Sequence, residues 1–176
     1  MAPTTPLLFT LSLLLLLSAP ALSYKNVLGT DLQPCSGPGM ARTGFMRDGH
    51  CSETQDDRGS HHICIDLSST ADSGGGNFCE VTGQPDWCSS QMSCHGDAST
   101  SCPVEHWCVC QWAFASYINK AGGCGAIQNV VCEATNMAAM AAYEGQAANS
   151  PGIAAALECL RERCDVSVSG RAAETE

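Results

Sequence analysis

The apolar positions change in spacing about halfway along the chain, and this change predicts two different halves. Up to about Leu67 they form short groups among polar and turn-forming residues, which is typical of brief strands between loops. The predicted strands are Val27-Leu28, Phe45-Met46 and Ile63-Cys64-Ile65. From Ser68 to Ser101 the chain is rich in serine, glycine, aspartate and cysteine, with too few aliphatic residues for a periodic face. No helix is therefore predicted before Pro103.

Helical spacing begins after Pro103. One apolar stripe predicts a helix, and its members are Trp107, Cys110, Phe114, Ile118 and Ala121. The remaining face is also apolar, with Cys108, Trp112 and Ala115, so this helix is predicted to be buried on most sides. Gly122-Gly123 ends this helix, and the apolar run from Ile127 to Glu133 predicts a central strand. Thr135 or Asn136 then caps a helix rich in alanine and methionine, and Ser150-Pro151 begins a terminal helix. The predicted order is helix, strand, helix and terminal helix.

The ends of the chain differ from its middle. Leu7 to Leu17 is nearly all apolar and Ala21-Leu22-Ser23 offers the small residues of a cleavage site, so residues 1–23 are a predicted signal peptide. Residues 24–165 are long enough for a single domain, and residues 166–176 are a predicted disordered tail. The apolar run is shorter than the roughly 20 residues that span a bilayer, so no membrane anchor is predicted. We expect the protein to be secreted or to lie in the lumen of the secretory pathway.

The amino-acid composition is typical of a disulfide-rich domain. The chain has 13 cysteines, and in an oxidising compartment they pair, which leaves at least one thiol outside the intrachain bridges. Four of them, Cys79, Cys88, Cys94 and Cys102, are expected to staple the polar middle stretch. The net charge of −10 repels a phosphate backbone, so no nucleic-acid partner is predicted. The predicted fold class is a small disulfide-rich α+β domain, with strands and loops first and helices last.

Histidines next to cysteines suggest a metal site as an alternative. Neutral imidazole and thiolate both bind zinc or copper. Disulfides would consume the thiolates, which leaves His50, His61, His62 and His106, with carboxylates such as Asp48 or Asp57. The spacing is not diagnostic of any metal, so no cofactor is predicted.

Two short segments carry other candidate chemistry. Gly44 to Gly49 is typical of a strand running into a turn at Asp48-Gly49, in which Arg47 pairs with a local carboxylate or grips the carboxylate or sulfate of a ligand. Cys108 and Cys110 lie two apart on the predicted helix, so they would bond to different partners. A triad of Asp56 or Asp57, Ser60 and His61 is not favoured, because sequence neighbours rarely supply triad geometry.

Five blocks, in the same order, resemble the domain-of-unknown-function family 2237 (DUF2237). They are Asn26–Ser36, Thr43–Gly49, Gly59–Cys64, Trp107–Cys110 and Val130–Thr135. The resemblance implies a shared fold and no activity. His50 stands where a second cysteine is expected and Asn136 where a histidine is common, and many of the cysteines are additions. The chain is therefore identified as a cysteine-rich, eukaryotic-type member adapted for export.

A looser likeness concerns Trp107-Cys108-Val109 and the segment from Cys124 to Tyr143. Their order is similar to the cysteine-rich glucan-binding module of plant cell-wall proteins, although the spacings slip and the first hundred residues have no counterpart. If this likeness holds, Trp87, Trp107 or Trp112 would stack on sugar faces.

Three hypotheses about function follow. The first is a binding or interaction domain for a protein or carbohydrate partner, because no catalytic frame is evident. The alternatives are a thiol redox or metal-dependent enzyme that uses Cys108, Cys110 and His61, and a glucan-binding module. The candidate ligand-binding or redox residues are Arg47, Asp48, His61, Cys64, Trp107, Cys108, Cys110 and Glu133. The sequence does not indicate an oligomeric state.

Overall fold

In the part of the chain that the structure describes, the fold combines a small antiparallel sheet, a separate two-stranded hairpin and four α-helices. The computed structural model describes residues 24–71 and 74–166, so the predicted signal peptide and residues 167–176 of the predicted tail lie outside the described residues. In these ranges the strands are β1 Ile63–Asp66, β2 Gln91–Ser93, β3 Ser101–Pro103, β4 His106–Val109 and β5 Asn129–Val130. The helices are α1 Phe78–Thr82, α2 Gln111–Ala121, α3 Met137–Gln146 and α4 Pro151–Arg163. No helix in the described ranges is long and apolar enough to cross a bilayer. The predicted α+β class is confirmed.

Strand β1 lies at the centre of the main sheet, whose order is β4-β1-β5. Its side chains alternate between two buried clusters, as the pleat of a strand requires. Ile63 and Ile65 join the main apolar core, while Cys64 and its direct partner Cys108 on β4 face a second cluster of buried cysteines. At the outer edge of β4, the Cys108 N–H donates to the hydroxyl of buried Thr43 over 2.8 Å.

The last two helices begin where the sequence predicts. The Asn136 side chain accepts a hydrogen bond from the Ala138 N–H, and Ser150 caps α4 in the same way through the Ile153 N–H. Helix α4 packs on α2 and α3, and its buried residues Leu157 and Leu160 belong to the main core. Both helices are therefore confirmed.

The prediction of a helix starting at Trp107 is wrong. Trp107 and Cys108 lie in β4, and α2 begins only at Gln111, with Cys110 at its N-cap. The stretch from Trp107 to Val109 is buried and pairs residue by residue with β1. Helical and strand spacing cannot be told apart over so few apolar positions, and pairing with a distant strand decides between them.

Three further predictions need correction. The segment from Ile127 to Glu133 is not a central strand, because only Asn129–Val130 pairs with β1 and Cys132–Ala134 is a 3-10 turn. Val27-Leu28 and Phe45-Met46 lie in loops and turns rather than strands. The polar stretch holds a short helix, α1, because Asn77 caps it and Phe78 packs edge-on against Tyr117.

Six disulfides cross-link the chain. They are Cys35–Cys64, Cys51–Cys108, Cys79–Cys88, Cys94–Cys102, Cys124–Cys159 and Cys132–Cys164. The expected stapling of the polar middle stretch is confirmed by two of them. Cys110 has no disulfide partner. Since all 13 cysteines lie in the described ranges, Cys110 is the one unpaired thiol.

Candidate functional site

A cleft of about 360 Å³ lies where β4 passes into α2. Its walls are mostly apolar and aromatic, with a few polar groups between them. The apolar lining residues are Phe78, Trp87, Met92, Trp107, Val109 and Ala113, and the polar or reactive ones are Arg47, His61, Gln84, Cys108 and Cys110. Two further concavities, of about 230 and 350 Å³, also have Arg47 in their walls. Arg47 therefore lines all three of these concavities.

Arg47 is held over an aromatic ring. Its guanidinium carbon lies 4.8 Å from the centre of the Trp107 ring, in the geometry of a cation–π contact. Its backbone is left-handed, with φ of +55°, which is strained for a side chain other than glycine. The prediction that Arg47 pairs with a local carboxylate is wrong, since no ion pair involves Arg47 within residues 24–71 and 74–166. The guanidinium thus lies in the cleft wall without an ion-pair partner among the described residues.

His61 is oriented by a buried carboxylate. Its Nδ1 lies 2.7 Å from Asp57 Oδ1, and its own backbone N–H donates to the other oxygen of that carboxylate over 2.7 Å. The Asp57 side chain is only 1% exposed and the His61 side chain 35% exposed. Since Nδ1–H donates to the carboxylate, the neutral imidazole keeps its lone pair on Nε2. His61 also lines two of the concavities described above.

Hydrogen bonds hold Asp57 in its charged form. Burial raises the pKa of Asp57, but the hydrogen bonds from the His61 backbone and ring, the charge of the His61 imidazolium and the hydrogen bond from the Gly59 N–H outweigh it and leave the pKa below its ordinary value. Gly59 leaves room for the imidazole, because a Cβ there would lie 2.5 Å from a ring carbon of His61. The ring of Phe45 stacks beside His61 at 6.3 Å.

The segment that carries Cys110 is fixed from several sides. The Gln111 N–H donates to the Ser60 carbonyl over 3.0 Å, and the Gln111 side-chain oxygen lies 2.8 Å from His62 Nδ1. The Tyr143 hydroxyl donates to the Gln111 carbonyl. Burial raises the pKa of Tyr143 and a charge on Cys110 raises it further, so the phenol stays protonated. Cys110 is consequently held beside the segment that contains His61.

Five of the eight predicted site residues meet in the cleft and three do not. Those in the cleft are Arg47, His61, Trp107, Cys108 and Cys110. Asp48 accepts the His50 N–H in the adjacent turn, and Cys64 is buried in its disulfide with Cys35. Glu133 is exposed, and its backbone carbonyl accepts hydrogen bonds from Asn26 and Gln33.

The structure does not assemble the histidine ligand set. His62 is bound to Gln111, His106 lies 3.0 Å from the Cys35 carbonyl, and His50 bonds within its own turn. The sulfurs of Cys35, Cys51 and Cys108 are the one group that is close enough to hold a metal in the described ranges, and all three are in disulfides. Among the described residues, His50, His61, His62 and His106 therefore do not come together as one ligand set.

Several cleft residues were not predicted from the sequence. Two of them, Phe78 and Met92, come from α1 and β2, which are distant from Arg47 in the sequence, and no local pattern links them to it. Asp57 had a visible signal, since it lies four residues before His61. Its role in orienting His61 depends on a buried carboxylate, which only the folded loop reveals.

The Asp57 carboxylate is expected to make stability depend on pH. A group whose pKa is lowered in the fold stabilises it above the ordinary value of 3.8, and this contribution is lost as the pH falls through the lower folded value. Asp57→Asn should lower the free energy of unfolding at pH 7 by about 1–3 kcal/mol and flatten its fall in acid. Urea unfolding at pH 7 and at a pH below 3.8 measures both the loss of stability and its pH dependence. Asp56→Asn, at an exposed neighbour, is the matched control, and an equal loss in both variants would contradict the prediction.

Two comparisons with known proteins bear on this site. The sequence model of a family described as "Uncharacterized protein conserved in bacteria (DUF2237)" matches residues 25–149. This range contains every lining residue of the cleft. No curated protein matches the chain.

Proposed function

Because the chain belongs to the DUF2237 family, whose description names no reaction or ligand, we propose its function from the cleft: it binds a small anion with an aromatic or apolar body. The observation that carries the proposal is the position of Arg47. Its guanidinium lies over the Trp107 ring, the residue lines three concavities, and it forms no ion pair in the described part of the chain. The proposal thus names a ligand class for the binding domain that the sequence predicts.

Charge supports an anionic ligand. The chain has 18 acidic and only 8 basic residues, yet two of its arginines, Arg42 and Arg47, line one concavity. These two side chains place two positive charges at one concavity of an otherwise acidic chain. A guanidinium binds carboxylate, sulfate or phosphate oxygens through two parallel hydrogen bonds.

The other wall supports an apolar or aromatic body. The rings of Trp87 and Trp107 lie 5.5 Å apart, and Phe78 packs against Trp87 at 6.0 Å. Together with Met92 and Ala113 they form a concave apolar surface next to the guanidinium. Ligand pockets commonly pair such walls with a few polar groups that fix orientation.

The compartment is part of the same proposal. Six disulfides are consistent with an oxidising compartment. We propose that the protein is exported and that cleavage precedes Tyr24. N-terminal sequencing of the exported protein should begin at Tyr24.

Binding of two matched dyes tests the ligand class. We expect 8-anilinonaphthalene-1-sulfonate to bind the native protein, and Arg47→Met to weaken it at least about 10-fold, as loss of a charge-assisted hydrogen bond does. The neutral analogue N-phenyl-1-naphthylamine should bind more weakly and respond little to Arg47→Met. Fluorescence titration of both dyes measures the four affinities.

The control is Arg58→Met, because Arg58 is exposed and lines none of the described concavities. It should leave both affinities unchanged. Equal binding of the two dyes by the native protein, with no effect of Arg47→Met, would overturn the proposal. Retention on insoluble β-glucan without dye binding would favour the glucan-binding alternative. Of the three tryptophans named for that function, Trp87 and Trp107 line the cleft, while Trp112 packs edge-on against Tyr143.

A further inference from the structure

We propose that Cys110, His61 and Asp57 form a thiol–imidazole–carboxylate arrangement that hydrolyses carboxylic esters. This activity goes beyond ligand binding, although it uses the same cleft. Three observations converge on it: the one unpaired thiol, an imidazole oriented by a buried carboxylate, and a cleft that both the thiol and the imidazole line.

The state of Cys110 is unusual for this chain. Twelve cysteines are in disulfides, and Cys110 alone keeps a thiol, half-buried in the cleft wall. The alternative of a redox pair between Cys108 and Cys110 fails, because Cys108 is bonded to Cys51, and the prediction that Cys110 also bonds to a partner is wrong. A single thiol without a partner cysteine suits nucleophilic chemistry better than dithiol exchange.

His61 has the features of the general base. Asp57 fixes the ring through Nδ1, so Nε2 is the atom that accepts a proton. This is the role that the carboxylate has in serine and cysteine hydrolases, where it orients the imidazole and stabilises its protonated form. In this arrangement Cys110 is the nucleophile, His61 the base and Asp57 a positioning residue.

The start of α2 supplies positive potential beside the sulfur. Cys110 is the N-cap of this 11-residue helix, and Ala113 in its first turn also lines the cleft. The first N–H groups of a helix have no acceptor within it, and they attract negative charge. In α2 the Gln111 N–H already donates to the Ser60 carbonyl, so the N–H groups of the residues that follow it in the first turn stabilise the charge that develops on the sulfur and on the carbonyl oxygen.

The reaction balances without a cofactor. Cys110 Sγ attacks the ester carbonyl carbon while His61 Nε2 takes the thiol proton. The bond to the alcohol oxygen breaks, that oxygen takes the proton from Nε2, and an S-acyl enzyme remains. Water then attacks the thioester, Nε2 takes its proton, the carbon–sulfur bond breaks, and the proton returns to sulfur. One ester and one water give one acid and one alcohol.

Hydrolysis of p-nitrophenyl acetate by the native, unreduced protein tests the proposal. We expect a burst of p-nitrophenolate and, by mass spectrometry, an acetyl group on Cys110. Cys110→Ala should abolish the burst and lower kcat/KM at least about 100-fold, and His61→Gln should lower it by a similar factor. This ester is neutral, so its hydrolysis does not depend on anion binding at Arg47, and each proposal can fail without the other.

The matched control is His50→Gln, because the His50 side chain is also 35% exposed beside an aspartate but lies outside the cleft. It should change kcat/KM less than twofold. Asp57→Asn should change the pH profile of kcat/KM, which a purely structural role would leave unchanged. Gly59→Ala keeps the imidazole but displaces it, and should also slow the reaction.

The native protein alone can overturn the proposal, whether or not the variants fold. Absence of both the burst and the acetyl adduct on Cys110 would do so. Equal rates for the native protein and a folded Cys110→Ala variant, or for His61→Gln and His50→Gln, would also overturn it.

Discussion

Replacing Cys51 and Cys108 together with alanine is expected to lower the free energy of unfolding by about 4 kcal/mol. The disulfide joins residues 57 apart in the sequence, and removing it frees the unfolded chain over that loop. Both cysteines are buried, so the substitutions also remove packed sulfur atoms. Guanidinium unfolding followed by tryptophan fluorescence, with the other bridges left oxidised, measures the loss.

The double substitution of Cys79 and Cys88 with alanine is the matched comparison. These two residues are also buried, but they are only 9 apart in the sequence. The same loop argument gives a smaller loss, about 2.5 kcal/mol. Equal losses, or a larger loss for the short loop, would show that loop length does not determine the contribution of these bridges.

Asn26→Ala is expected to lower the free energy of unfolding by at least about 3 kcal/mol, because it leaves several buried backbone groups without partners. Asn26 is fully buried. Its side-chain nitrogen donates to the Asp31 and Glu133 carbonyls, and its oxygen accepts from the Leu28 and Thr30 N–H groups. The side chain thus joins the first loop to the segment that follows β5. Thermal or urea unfolding at neutral pH measures the loss.

Gln33→Ala is the control for Asn26→Ala. Gln33 is exposed, and its side chain makes a single described hydrogen bond, to the Asp31 carbonyl. Its loss should stay within about 0.5 kcal/mol. Asn26→Asp keeps the shape but removes the donor, so it should also destabilise strongly. A small effect of both Asn26 variants would show that water replaces the lost partners.

Features that depend on neighbouring residues could be predicted from the sequence. The caps at Asn136 and Ser150 act on N–H groups two or three residues away, so the starts of α3 and α4 were visible. Gly122 ends α2 in a left-handed conformation for the same local reason. The odd number of cysteines also predicted at least one unpaired thiol, although it did not predict which cysteine carries it.

Features that depend on long-range contact could not be predicted. Trp107 lies in a strand because it pairs with Ile65, which is 42 residues earlier in the sequence. The cleft required the same kind of information, since Arg47, Trp87 and Cys110 come from separate loops and element ends. Five of the eight candidate residues meet there because their blocks flank the β1–β4 pair.

The contact between Thr43 and β4 has a consequence for how the molecule behaves at high concentration. An uncovered edge strand offers a row of N–H and carbonyl groups to which another chain can add a strand, and this is a common start of aggregation. In β4 the outward N–H of Cys108 is already bound to the buried Thr43 hydroxyl. At the opposite edge, β5 has only two residues and contacts α4. The sheet thus offers little template for edge-to-edge association between copies.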